Sequence, residues 1–320
     1  MGRLRGGVDY PRSLPEFLDW FPDEAHCARF LARLRWRDGF SCRVCGHDDA
    51  WLTEPPRTRW VCSSCESQTT ITAGTIFEGT RTPLTTWFHA AWLSMAEKNG
   101  MSALGLKRQL GVGSYETCWS MLHKFRLAMV DPGRDKLSGV VEVDETFVGG
   151  LRPGKRGRGA ADKAIVAIAV ERFTNPKRGI PALGRTRMRV VPDAKGPTLI
   201  DFITDSVERG SVIYTDGLGG YQQVGANGYK HEIIKFQNAK LKAHEELPAV
   251  HRVAALTKRW LLGTHHGGMQ HKHLDYYLDE FVFRFNRRKS NARGLLFYRL
   301  LEGAVATRPI TRDLIVKSRV

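Results

Sequence analysis

Two aspartates stand at the ends of strand-like apolar runs. Asp144 closes Val140-Val141-Glu142-Val143-Asp144, and Asp216 follows Ser211-Val212-Ile213-Tyr214-Thr215 just ahead of Gly217. Two such strands can carry two carboxylates to one edge of a sheet. Carboxylates brought together repel unless a divalent cation sits between them, and hard oxygen ligands suit magnesium. The chain has 320 residues, with 49 Lys+Arg against 33 Asp+Glu, a formal net charge of +16. Its pI near 9.8 argues for a polyanionic partner, nucleic acid first and an anionic membrane second. On so basic a chain, a phosphodiester backbone is the expected substrate of a carboxylate site.

A second set of residues points to a different metal. Cys42-Arg43-Val44-Cys45 and Cys62-Ser63-Ser64-Cys65 are separated by residues 46–61, the spacing of a four-cysteine zinc site. Four thiolates from Cys42, Cys45, Cys62 and Cys65 close a tetrahedron with no open position, so the expected zinc is structural. The competing reading is two redox pairs, but no βαβ pattern surrounds them. Trp60-Val61 and Thr69 to Thr72 read as short ribbon strands. Cys27 and Cys118 stand alone and are expected in the core. No apolar run approaches the roughly 18–20 residues that span a bilayer, and the N-terminus lacks a signal-peptide core. A cytoplasmic, nucleoid-associated protein with no membrane partner is expected.

The elements that must position these groups fall into modules: an N-terminal helical segment at 1–39, the zinc ribbon at 40–80, a helix-turn-helix-like region at 81–132, an α/β domain at 133–305 and a basic tail at 306–320. From Leu84 to Met129 the spacing of Trp87, Ala90, Ala91 and Ser94-Met95 is helical. A short helix ending at Leu110, a glycine turn, and a second helix from Tyr115 capped by Ser114 make a helix-turn-helix pattern. Tyr115, Lys107, Arg108 and Lys124 are its candidate DNA contacts. An ordinary α-hairpin is the bland alternative.

After Asp131-Pro132-Gly133-Arg134, a linker by composition, strand runs begin. Strands are expected over 139–148, 164–172, 185–191 and 212–215, with a possible fifth at 228–235 and a helix at 197–208. A basic glycine-rich loop at 152–159 offers Lys155, Arg156 and Arg158 to phosphates. Three strands, a helix, a strand and then helices is the order of a ribonuclease-H-like mixed sheet flanked by helices, with Asp144 and Asp216 on adjacent central strands. Glu142 and Glu145 flank Asp144 and are expected on the opposite strand face. Glu280 is the expected partner of Arg284, four residues on. Tyr277, Phe281 and Phe285 are expected in the core. Arg287 and Arg288 form a basic helix end facing DNA. His265, His266, His271 and His273 suggest hydrogen bonds to phosphates and loop backbone, with a second zinc site as the lesser reading.

The chain resembles insertion-sequence transposases that carry a zinc ribbon and a DDE-type ribonuclease-H-like domain. The resemblance rests on Val143-Asp144-Glu145-Thr146-Phe147-Val148-Gly149-Gly150, Thr215-Asp216-Gly217, residues 258–267 beginning Lys258-Arg259-Trp260, and residues 273–288. With the cysteine pairs it spans roughly residues 15–300. It implies metal-dependent cleavage at transposon ends and transfer of the freed 3′ hydroxyl to target DNA. It also implies magnesium or manganese, double-stranded DNA and a dimer or larger assembly. Such enzymes usually complete the site with Glu on a helix after the second Asp, or with Asn and a Lys some residues on. The position matching that Asn is His251, so the implied constellation is Asp144, Asp216, His251 and Lys258, with Arg259 on DNA. A neutral imidazole at His251 would lean the site toward manganese. Glu245 and Glu246 are the alternative third acids. A catalytically inert DNA-binding regulator and a nuclease without strand transfer remain as other readings.

Overall fold

The computed structural model describes residues 4–53, 59–130, 133–149, 163–174, 179, 181–234, 247–266 and 269–317. The chain divides into two compact units, Met1–Asp131 with Ser290–Ser318, and Pro132–Lys289 with Arg319–Val320.

The first unit opens with α1 (Leu14–Trp20) and α2 (Glu24–Arg35), capped by Ser13 and Asp23, whose side chains accept the N–H of Glu16 and His26. Strands β1 (Ala50–Leu52), β2 (Trp60–Cys62) and β3 (Gln68–Thr69) form an antiparallel ribbon. Thr70 to Thr72, expected to extend the ribbon, lie in turn and loop. Helix α3 (Leu84–Ala96) begins after Pro83, which offers no cap. The Glu24 carboxylate supplies one from α2, accepting the N–H of Leu84 at 2.8 Å and of Thr85 at 2.7 Å. Helix α4 (Ala103–Leu110) stops at Gly111, whose φ of 64° is the left-handed turn that glycine allows at a helix end. Ser114 then caps α5 (Tyr115–Ala128) by accepting the N–H of Thr117. The expected helix-turn-helix order is therefore present.

The second unit is a five-stranded mixed sheet. β4 (Val140–Val148), β5 (Ala164–Thr174) and β6 (Pro181–Val191) pair antiparallel. Helix α6 (Gly196–Ser206) leads to β7 (Val212–Thr215), and β8 (Lys230–Ile233) follows. The order is β6-β5-β4-β7-β8, with β7 parallel to β4 and β8 parallel to β7. This arrangement is the one expected of a ribonuclease-H-like domain. Alternation sorts the residues by face. Val141, Val143, Ala167, Ala169 and Ile213 join the α6 core, with Leu199, Phe202 and Ile203. Val148, Val166, Ile168 and Val170 face α7 (Pro248–His265) and α8 (Leu274–Asn286). There Tyr277, Phe281 and Phe285 are buried as expected, and Glu280 pairs with Arg284 at 2.9 Å. Side chains of α8 cover the exposed edge of β6. Asp275 accepts the N–H of Val190, and the Asn286 amide bonds both backbone groups of Thr186.

Helix α9 (Arg293–Ala306) corrects the expected limit of residue 305 for the α/β domain. It packs against α2, α3 and α5, with Phe297 set among Phe17, Phe21 and Phe88. The first unit thus needs both ends of the chain, because the aromatic cluster of its N-terminal helices is completed by α9. The basic tail carries α10 (Arg312–Lys317), whose Ile315 is buried. Gly303 is where α9 meets the end of α5: a Cβ there would lie 2.0 Å from the Ala128 carbonyl oxygen. Gly303→Ala is expected to destabilise the first unit by about 2 kcal/mol, read as a fall in its thermal midpoint. Gly113→Ala, with nothing within 4 Å of the added methyl, is the neutral control.

Candidate functional site

The pairing of β4 with β7 puts Val140 opposite Val212, Val141 opposite Ile213 and Glu142 opposite Tyr214. The same offset carried two residues further lines Asp144 up with Asp216. Asp216 is braced by its own turn: Oδ1 accepts the N–H of Leu218 at 2.9 Å, and Gly217 takes φ 78°. Asp144 Oδ1 accepts the N–H of Glu145 at 2.8 Å. Helix α7 brings His251 over the same strand face, with Nδ1 3.8 Å from Asp144 Oδ2. Lys258 follows two turns along α7 and is exposed.

Burial pushes the Asp144 carboxyl up to about 7, and the charges of Glu145 and Asp216 push the same way; the Glu145 N–H and Lys258 oppose them. Desolvation and Lys163 lower the Lys258 ammonium, against the pull of Asp144. The charges of Asp216 and Lys258 are thus felt at Asp144, and His251 Nδ1 lies 3.8 Å from it. Negative charge crowded beside a half-covered imidazole is a donor set that suits a divalent cation of the magnesium or manganese kind. His251 and the aspartates are not drawn as close as the cysteines described below.

Because its folded pKa lies above the ordinary carboxylate value, Asp144 costs stability as pH rises from about 4 through about 7. A dication held there would remove that cost. Magnesium or manganese is therefore expected to raise the thermal midpoint of the second unit more at pH 8 than at pH 6. Asp144→Asn should abolish the difference between the two pH values.

Glu142 corrects the expectation that it points away from Asp144. Strand side chains alternate, so a residue two positions back shares the face, and only Glu145 is opposite. Glu142 is fully buried beneath the start of α7. It accepts the N–H of Ala249 and of Val250, and pairs with Arg172. Desolvation raises its pKa, with those N–H groups and Arg172 opposing. Glu145, on the α6 side, accepts a hydrogen bond from the buried Tyr221 hydroxyl at 3.0 Å. Tyr221 and Arg172 were not foreseen as part of this neighbourhood. Strict alternation along β4 would have found Glu142.

In the ribbon, the four cysteine sulfurs all lie within 4.8 Å of one another, the only such group of potential ligands among the described residues. Cys42 Sγ is 3.6 Å from Cys65 Sγ, and Cys45 Sγ is 3.6 Å from Cys62 Sγ. A tetrahedron with Zn–S of about 2.3 Å spaces its sulfurs about 3.8 Å apart, so the cluster fits zinc. The Ser67 hydroxyl and the N–H groups of Cys45 and Val44 pull the Cys42 thiol down to about 5. Cys65 is lowered by Ser67 as well. Cys45 moves the other way, to about 12: the His47 N–H pulls it down, but the neighbouring thiols and burial outweigh it. Cys27 and Cys118 are buried, as expected.

The expected DNA contacts divide. Tyr115, Arg108 and Arg259 are exposed and Lys107 is half-buried. Lys124 turns inward, donating to the Ile76 carbonyl at 2.8 Å beside the Trp87 ring, and burial lowers its pKa. Arg287 and Arg288 stack on Phe283 and Phe285 and donate to backbone carbonyls at the end of α8 and on β6, with Arg288 still exposed. Lys155, Arg156 and Arg158, and the alternative acids Glu245 and Glu246, lie outside the described residues. His265 packs on Trp260 and Tyr277. No described helix is long and apolar enough to cross a membrane.

Comparison with known proteins agrees with this division. The ISXO2-like transposase domain family matches residues 136–286, and the transposase zinc-ribbon domain family matches residues 22–68. The first match holds Asp144, Asp216, His251 and Lys258, and the second holds all four clustered cysteines. A protein in transposable element ISH50 of Halobacterium salinarum is 26% identical over 283 residues, 82% of this chain and 91% of its own length. A transposase-like protein of Haemophilus influenzae is 24% identical over 116 residues, 36% of this chain and 93% of its own.

Proposed function

We propose that this chain, which belongs to the transposases that join a transposase zinc ribbon to an ISXO2-like transposase domain, cuts DNA at the ends of its element and transfers the freed 3′ ends to target DNA. The observation that supports the reading is the parallel pairing of β4 and β7, whose register carried two residues further brings Asp144 level with Asp216, together with His251 Nδ1 lying 3.8 Å from Asp144 Oδ2. In this reading Asp144 and Asp216 hold magnesium or manganese, with His251 as the third ligand. Divalent cations held there would lower the pKa of a bound water and offset charge on the entering and leaving oxygens. Lys258 holds a phosphate oxygen beside the scissile bond. Glu145, held by Tyr221, adds negative charge behind Asp144.

The ribbon and the surface of α4 and α5, with Lys107, Arg108 and Tyr115, are proposed to bind the terminal repeats. Strand transfer needs two ends held together, so a dimer or larger assembly on double-stranded DNA is proposed, acting in the cytoplasm on the DNA that carries its element. The test uses the zinc-loaded chain, a duplex carrying the terminal repeat, and magnesium or manganese. Nicked ends and joined products are expected. Specific binding with no cleavage would favour an inert regulator, and cleavage without joining would favour a simple nuclease.

A further inference from the structure

We infer that Glu142 is a positioning residue: it anchors the first turn of α7 so that His251 and Lys258 stand over Asp144, a role that rests on the reaction proposed above. The first free N–H groups of α7 are those of Ala249 and Val250, because Pro248 has none and Leu247 offers no side-chain cap. Glu142 Oε2 accepts both, at 2.7 and 2.9 Å. Its other oxygen accepts from Arg172 Nη1 at 3.0 Å. The Arg172 guanidinium in turn lies 4.9 Å from the centre of the Tyr214 ring, and Tyr214 is the residue paired with Glu142 across β4 and β7.

One buried carboxylate therefore ties together the strand of Asp144, the strand of Asp216, and the helix of His251 and Lys258. The contact is also close to the chemistry. Glu142 is two residues from Asp144, and Val250 is next to His251. A fully buried carboxylate is an expensive way to gain stability alone, since its desolvation opposes the pairing. What it adds is direction. Two N–H groups converging on one oxygen fix where the helix axis starts, and the negative charge meets the positive end of the helix dipole. A small shift of that start carries His251 away from Asp144, and misplacement of this size is costly in a positioned reaction.

The decisive variant is Glu142→Gln, which keeps size and loses charge. Amide hydrogen exchange is read first, since it does not depend on activity. Residues 249–253 are expected to exchange at least about tenfold faster, while β4 and β5 keep their protection. Cleavage by the folded variant is expected to fall about 10- to 100-fold, with affinity for terminal-repeat DNA within about twofold. In a double-mutant cycle with Lys258→Arg, the two losses should be less than additive, because both act through α7. Unchanged protection of α7, a loss of cleavage matched by loss of DNA affinity, or full additivity would each overturn the inference. If the wild type fails to cut DNA at all, the proposed function falls, while the exchange result still decides whether Glu142 anchors α7. If the Gln variant does not fold, Glu142→Asp, which keeps the charge and shortens the reach, is read in the same way.

Discussion

Asp144→Asn is expected to reduce strand cleavage by about a thousandfold or more, while binding of terminal-repeat DNA stays within about twofold of wild type. The substitution keeps the shape of the side chain and its hydrogen bond to the Glu145 N–H. It removes the charge that would hold a cation in the proposed mechanism and that attracts Lys258. Asp216→Asn is expected to do the same, because the β4–β7 register, continued two residues past Glu142 and Tyr214, brings the two carboxylates level. Joining should vanish in parallel with cleavage if one centre performs both steps. His251→Ala divides the readings further. A loss as deep as that of the aspartate variants makes His251 a ligand, whereas a loss below about tenfold makes it a neighbour of Asp144 and moves the search to Glu245 and Glu246. Substantial cleavage by Asp144→Asn would remove the carboxylate site from the mechanism.

Much of this site was legible in the chain because strand patterning is a local property. The runs ending in Asp144 and Asp216 read as strands from their β-branched residues, and the ribonuclease-H-like order then made them neighbours. The cysteine spacing read as directly, since two residues between thiols leave a knuckle little freedom. What escaped was long-range. That Glu142 caps a helix 107 residues away depends on how α7 settles on the sheet. The inward turn of Lys124 and the backbone contacts of Arg287 and Arg288 depend on which carbonyls and rings lie beside them after folding. A basic residue near a helix end looks the same in sequence whether it faces DNA or braces its own backbone. The return of α9 to the first unit was likewise hidden, because an amphipathic helix does not announce which of two cores it will complete.

Removing zinc is expected to unfold the ribbon and weaken binding to terminal-repeat DNA by about a hundredfold or more, while the mixed sheet of the second unit keeps its own thermal transition. β1, β2 and β3 have 3, 3 and 2 residues. Strands so short cannot hold a sheet on their own. The metal site that ties Cys42 and Cys45 to Cys62 and Cys65 must therefore supply most of the ribbon's stability. Cys45→Ser tests this at a solvent-exposed ligand, where the change itself opens no cavity. It should release zinc, flatten the ribbon's contribution to circular dichroism, and abolish specific binding before it affects metal-dependent nicking of nonspecific DNA. A strong chelator should reproduce the effect on the wild type, and added zinc should reverse it there but not in the variant. The competing redox reading makes the opposite forecast. Two disulfide-forming pairs would ignore the chelator and respond to reductant, and the protein would hold no stoichiometric zinc. Loss of specific binding together with intact nicking would assign end recognition to the ribbon's side of the chain and the chemistry to the sheet. Loss of both would mean that the aspartate centre acts only on DNA that the zinc-bearing unit has already engaged.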